Sequence, residues 1–218
     1  MRKFLKKSKE YFFWTFLKIL LPKKPVIIEA GAHDGRDTVV MSKKWPAGFI
    51  YAFEPVPFLF QNLIERTSGL QNVKVSSFAL NDQCGKKKLY LSSGRSDASS
   101  SLLKPLAHLQ FHPDVFFEQS VTIKTTTIES FLKKENIDQV DFMWLDIQGM
   151  ELKVLKASKE MLERVRCIFI EIHFAENYED CAQYDEIKLW LQAQGFGYSF
   201  ITSKHADAGN VLFIKNFW

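Results

Sequence analysis

From residue 26 onward, short apolar runs alternate with stretches whose apolar positions recur at helical spacing. This alternation predicts βαβ units and a mainly parallel sheet. The runs at 26–29, 49–54, 73–78, 140–146, 167–173, 198–201 and 211–215 predict strands, and 37–44, 57–67, 128–135, 151–162 and 184–194 predict the helices between them. Together they make one doubly wound α/β domain. Two further β-like runs, 87–91 and 121–127, flank a Ser-rich stretch, 94–113, that sits where a lid or substrate loop inserts, its 99–113 part expected to face the acceptor. Ahead of the domain (25–218) lies a separate arm, 1–24, closed by Pro22 and Pro25. At about 100° per residue its Leu5, Phe12, Phe16, Ile19 and Leu20 share one arc, while Lys3, Lys7, Glu10 and Lys18 fall outside it. Such a helix either lies on an anionic membrane surface or packs on its own domain or a partner chain.

Charge sharpens the division between arm and body. The 218-residue chain carries a net +4. Residues 1–24, however, hold eight Lys/Arg against Glu10 alone, leaving 21 basic and 24 acidic residues in the body. A slightly acidic body argues against nucleic acid as a partner. Cys84, Cys167 and Cys181 are odd in number and contain no CxxC pair, so neither a disulfide framework nor a cysteine zinc site is indicated. A cytoplasmic, reducing home follows, with peripheral contact at the inner face of the membrane if the arm docks there. Spanning a bilayer takes about 20 apolar residues, more than the arm offers. The arm also lacks a small-residue cleavage site after Leu21, so it is expected to be retained.

Four motifs carry chemistry. The first runs from a strand through Glu29, Gly31, Ala32 and Gly35 into a helix, spaced E-x-G-x-x-x-G rather than the G-x-G-x-x-G of pyrophosphate-binding folds. Gly31 lets backbone approach a ligand and Gly35 opens the helix; tight-turn geometry alone would also explain the pair. In the second, Glu54-Pro55 ends the second strand, where an acid can accept hydrogen bonds from both ribose hydroxyls of an adenosine cofactor. The third places Asp146 at a strand's carboxyl end and Glu151 at the entry of the next helix, to orient a hydroxyl, hold a cation or cap the turn. In the fourth, strand alternation puts Glu171 and His173 on one face, and His173 can take a proton near neutral pH.

In this order, with Thr127-Ile128-Glu129 ahead of Asp146-Ile147-Gln148-Gly149-Met150-Glu151 and a late Gly209-Asn210-Val211-Leu212-Phe213 run, the motifs resemble the FkbM family of S-adenosylmethionine-dependent methyltransferases. The resemblance covers residues 25–217. It implies a class I methyltransferase fold, a Rossmann-like three-layer sandwich with seven strands and an antiparallel last strand, and methyl transfer to a hydroxyl oxygen of a sugar, glycan or secondary metabolite. It also implies that Glu29, Gly31, Ala32 and Gly35 surround the methionine part of S-adenosylmethionine. Glu54 with Pro55 would bind the ribose, Ala79 and Leu80 would border the adenine, and Asp146 would lie near the transferred methyl. Glu29 and Glu129 stand where the family more often has Asp, which keeps the charge. His173 is then the expected proton acceptor, with Asp146 and Glu151 as orienting groups and no metal; a divalent ion on Asp146 and Glu171 is the alternative. Rival functions are a nicotinamide-dependent oxidoreductase, which the Gly31 and Gly35 spacing disfavours, and a catalytically silent membrane-associated scaffold.

Overall fold

The computed structural model describes residues 2–216, with side chains from Tyr11 onward. The arm residues Lys3, Leu5, Lys7 and Glu10 therefore have side chains outside the described residues. Among the described residues, seven strands form one sheet: β1 (Val26–Ala30), β2 (Phe49–Phe53), β3 (Val73–Ser76), β7 (Phe142–Leu145), β8 (Cys167–His173), β9 (Tyr198–Lys204) and β10 (Ala208–Ile214). Their order is β3-β2-β1-β7-β8-β10-β9. The first five are mutually parallel, and β10 runs antiparallel to both neighbours, as expected of the last strand.

Period-two alternation in the central strands feeds two cores. Ile28, Met143, Leu145, Ile168 and Ile170 face α5 (Ile128–Glu135), α6 (Glu151–Lys156) and α7 (Tyr184–Ala193). On the other face Ile27, Phe142, Phe169 and Leu212 meet α2 (Arg36–Lys44), α3 (Pro57–Thr67) and α1 (Arg2–Leu20). This is the three-layer sandwich. A second sheet stands beside it, where β4 (Ala79–Leu80) pairs with β6 (Val115–Thr126) and β6 with β5 (Gly85–Gly94).

Three expectations shift. The predicted helix 151–162 breaks after Lys156 and resumes as a 3₁₀ turn, Glu160–Arg164, because Ser158 N–H bonds Leu155 three residues back and tightens the helix to a close. The β-like runs 87–91 and 121–127 are only the inner parts of a longer hairpin, whose outer residues are mostly exposed, Ser92 and Val115 excepted, and show no apolar alternation. The stretch 94–113 is folded back, with Ser101 bridging Tyr90, Pro105 bridging Tyr178, and one short helix, α4 (His108–Phe111).

The arm is helical as expected, and it packs on the domain's own sheet. Trp14, Leu17 and Leu21 are buried, with Phe13 against Trp144 and Phe169 and Trp14 beside Trp45. The buried face is nearly opposite the expected apolar arc: Phe12 and Ile19 point outward. Leu17→Ala should therefore destabilise the protein by about 2–5 kcal/mol in urea unfolding, the cost of a core cavity; an unchanged midpoint would mean the helix contributes nothing to the core.

Candidate active site

Strand crossovers leave a crevice at the carboxyl ends of a doubly wound sheet, and ligands bind there. Here the tips of β1, β2 and β7 open on a cleft. Gly31, Glu54, Pro55, Ala79, Leu80 and Asp146 all line it, as do Asp97, Ala98, Ser100 and Leu102 of the Ser-rich stretch. The stretch thus walls the cleft.

Two turns shape the floor. After β1 the N–H groups of Gly31 and Ala32 both bond the Phe53 carbonyl, tying β1 to β2. Gly31 sits at φ +81°, and a Cβ there would fall 1.8 Å from the Asp146 carbonyl oxygen, so only glycine lets the two strand tips meet. After β7, Gln148 and Gly149 both take positive φ, folding the chain so that Gln148 turns back between Asp146 and Glu171.

Glu54 is buried at the end of β2, where its two oxygens accept N–H bonds from His33 (2.8 Å) and Val56 (2.9 Å). Burial still lifts its pKa to about 7. Further lone pairs remain for a diol. The apolar wall formed by Val56, Leu59, Phe78, Leu80, Leu89 and Leu102 is suited to a flat heterocycle. His33 closes the rim through Asp97, Nε2 to Oδ1 2.9 Å.

Glu29, Ala32 and Gly35 do not line the cleft. Glu29 is buried and accepts a 2.6 Å bond from the Thr38 hydroxyl of α2, with its pKa pushed up to about 8 by burial. Gly35 is the N-cap residue of α2, in the left-handed region, so it does open the helix. A Cβ there would meet the Leu63 side chain rather than a ligand. The E-x-G-x-x-x-G motif therefore brings Ala30, Gly31 and His33 to the cavity and keeps Glu29, Ala32 and Gly35 out of it.

Behind the cleft, Asp146, Glu151 and Glu171 crowd together. Gln148 Nε2 donates to both Asp146 (2.6 Å) and Glu171, and its Oε1 accepts from the Tyr178 hydroxyl at 2.6 Å. Burial raises the pKa of all three acids: Glu151 to about 8, Asp146 upward, and Glu171 well upward with Asp146 adding repulsion. Glu151 does not reach for a ligand. Its two oxygens accept the Ile147 and Gly149 N–H groups at 2.9 Å each, so it caps the turn.

His173, the expected proton acceptor, is buried at the end of β8. Its Nδ1 accepts from the Asn177 amide at 3.1 Å, and that same amide nitrogen donates to Asp207 at 3.0 Å, which fixes the amide's orientation. The ring proton must then sit on Nε2, a buried atom without a hydrogen-bond partner in the structure. Burial also pulls the imidazole pKa down to about 4. The ring is a neutral donor. Glu151, Glu171 and His173 can bring ligand atoms within 4.8 Å of one another, but a protonated Nε2 and a Glu151 already bonded twice make this a hydrogen-bonding cluster rather than an ion cage. Gln148, Tyr178, Asn177 and Asp207 escaped the sequence reading; only Gln148 was signalled, by its place in the Asp146 motif.

With this geometry in hand, the profile of the methyltransferase FkbM domain matches residues 29–198. The 2-O-methyltransferase NoeI of Sinorhizobium fredii is 27% identical over 168 residues, 75% of this chain and 69% of that protein. The hexuronic acid methyltransferase AglP of Haloferax volcanii is 26% identical over 155 residues, 71% of this chain and 59% of that protein. Among solved structures, the N-terminal domain of EvdMO1 with SAH bound aligns over 93% of this chain and 79% of its own, with a TM-score of 0.53 and 12% identity. An rRNA methylase from Streptococcus thermophilus aligns over 94% of both chains, with a TM-score of 0.50 and 13% identity. These structural likenesses are of fold.

Proposed function

Because the chain belongs to the FkbM family of S-adenosylmethionine-dependent methyltransferases, we propose that it methylates a hydroxyl oxygen of a sugar or glycan acceptor. The observation that carries this reading is the cleft itself, which sets the buried Glu54 carboxyl, an apolar wall and a glycine-tight strand tip side by side. The sugar is supported by two relatives, one a 2-O-methyltransferase and the other a hexuronic acid methyltransferase. The oxidoreductase and silent-scaffold alternatives gain no support from the family.

The residues present fit the cofactor. Glu54 would hold the ribose, Leu80, Ala79 and Phe78 the adenine, and the Gly31 backbone the methionine part, with Asp146 at the methyl end. The bound cofactor supplies an electrophilic methyl group on sulfur. The protein must align an acceptor oxygen in line with it and receive the hydroxyl proton. We assign the proton to Glu171: it is half-buried and is joined, through the Gln148 amide they share, to Asp146, which lines the cleft.

Titration calorimetry with S-adenosylhomocysteine should show binding that Glu54→Gln weakens about 10- to 100-fold, the loss of charged hydrogen bonds to a diol. Labelled S-adenosylmethionine should mark a glycan fraction in preference to lipid or small-molecule fractions. Wild-type affinity in Glu54→Gln would remove the ribose assignment, and label confined to non-hydroxyl products would remove the acceptor class.

A further inference from the structure

Helix α1 carries two apolar faces, and the sheet uses only one. Trp14, Leu17 and Leu21 are 5, 0 and 6% exposed, whereas Tyr11, Phe12 and Ile19 are 75, 72 and 76% exposed. A solvent-facing helix side is ordinarily polar. The outer face does not end at the helix. Phe12 stacks on Phe16 at 6.3 Å, and Phe16 meets Phe200 of β9 at 6.0 Å. On that edge strand Tyr198 and Phe200, which share the sheet face of Leu212 and α1, are 61 and 52% exposed. Edge strands are usually blunted by charge, and this one carries only Lys204, at its end. Tyr11, Phe12, Ile19, Tyr198 and Phe200 therefore gather around Phe16, a patch of the kind that marks an interaction surface.

Charge identifies the occupant. Residues 1–24 hold eight Lys/Arg and a single acid, and Lys18, Lys23 and Lys24 are exposed along the same helix and its exit. A two-fold pairing of this face would bring two such arms together, a like-charge contact that disfavours a second copy. An anionic bilayer surface satisfies both halves: aromatic rings settle at headgroup level and the lysines meet lipid phosphates. No described helix is long and apolar enough to cross a membrane, so α1 would lie in the interface plane.

We propose that the outer face of α1 and the edge strand β9 together form a docking surface for an anionic lipid bilayer. The proposal is independent of the methyl-transfer reading. The two faces of α1 divide the labour, one fastening the helix to the domain and the other fastening the domain to lipid.

Co-sedimentation of the full chain with phosphatidylcholine vesicles containing phosphatidylglycerol, against phosphatidylcholine alone, tests it. Binding should require the anionic lipid and fall about tenfold or more in molar salt, where screening shortens to about 3 Å. The double variant Phe12→Ser/Ile19→Ser should lose binding at least tenfold while keeping the wild-type melting temperature, since neither side chain is buried. Lys6→Glu/Lys7→Glu should lose it as well. Absence of vesicle binding by the wild type, or wild-type binding by the Phe12→Ser/Ile19→Ser protein, overturns the proposal. So does a wild-type dimer that the same double variant converts to monomer, which would make the patch a self-association surface.

Discussion

Gly31→Ala is expected to abolish measurable cofactor binding and to destabilise the protein by about 3 kcal/mol or more. Two costs combine. A left-handed backbone at φ +81° costs an alanine about 1–2 kcal/mol relative to glycine, and overpacking adds about 1–3 kcal/mol. The second cost is unusually hard to avoid. The new Cβ would lie 1.8 Å from a backbone oxygen of Asp146, and neither atom is the end of a flexible side chain. Relief requires β1 and β7 to separate at their tips, yet Asp146 N–H is bonded to the Ala30 carbonyl there. The separation would displace both Gly31 and Asp146, two walls of the cleft. Circular dichroism melting and calorimetry with S-adenosylhomocysteine read the two effects separately. Gly69→Ala is the control: nothing lies within 4 Å of its Cβ position, so it should leave affinity unchanged. A folded Gly31→Ala protein with wild-type affinity would show that the strand tips have room to part.

The contrast between what the chain announces and what it conceals follows from the range of each interaction. Glu54 and Asp146 were legible because strand periodicity alone carries them to the sheet's carboxyl edge, one residue past the last paired position of β2 and of β7. Gly31 was legible because a strand running into a tight turn needs glycine. The neighbourhood of His173 was not legible. Its tautomer depends on Asn177, and Asn177 is held by Asp207 at the entry of β10, a contact set by the antiparallel return of the chain. Gln148 likewise bridges two acids only because its own φ is +51° and Gly149 follows at +99°. For α1 the pattern was present but ambiguous. Phe12 and Ile19 on one side and Trp14 and Leu17 on the other are equally apolar, so a helical wheel cannot rank the faces; the space beneath Trp45, Trp144 and Phe169 selects the second. Glu29, Glu54 and Glu151 have a shared consequence. Their pKa values are raised on folding to about 8, 7 and 8, so each favours the folded state in its protonated form and this preference is lost as pH rises through those values. These acids are retained at a cost in stability near neutral pH, the pattern expected where a site needs carboxylates out of water.

Glu171→Gln should lower kcat by about 10²- to 10⁴-fold, the range for losing a positioned general base, while leaving S-adenosylhomocysteine affinity unchanged. Gln keeps the side chain's length and an oxygen to accept the Gln148 amide, so the site should stay assembled. The pH profile separates this from a structural role. Burial and the neighbouring Asp146 and Glu151 push the Glu171 carboxyl well above its ordinary range, and Asp146 is raised with it. A base acts in its deprotonated form, so the rate should fall as pH drops through a value higher than the roughly 4.3 of a free glutamate. Because the two carboxyls share the Gln148 donor, that acid limb belongs to the pair. Glu171→Gln should flatten it, and Asp146→Asn should move it down by removing the repulsion. His173→Ala should cost less than Glu171→Gln and keep the limb in place, since a neutral imidazole whose Nδ1 already accepts from Asn177 supplies a donor and not a base. The opposite ordering, with His173→Ala losing at least a hundredfold together with the acid limb while Glu171→Gln stays active, would return the proton to the imidazole and require the Asn177 amide to turn away from it.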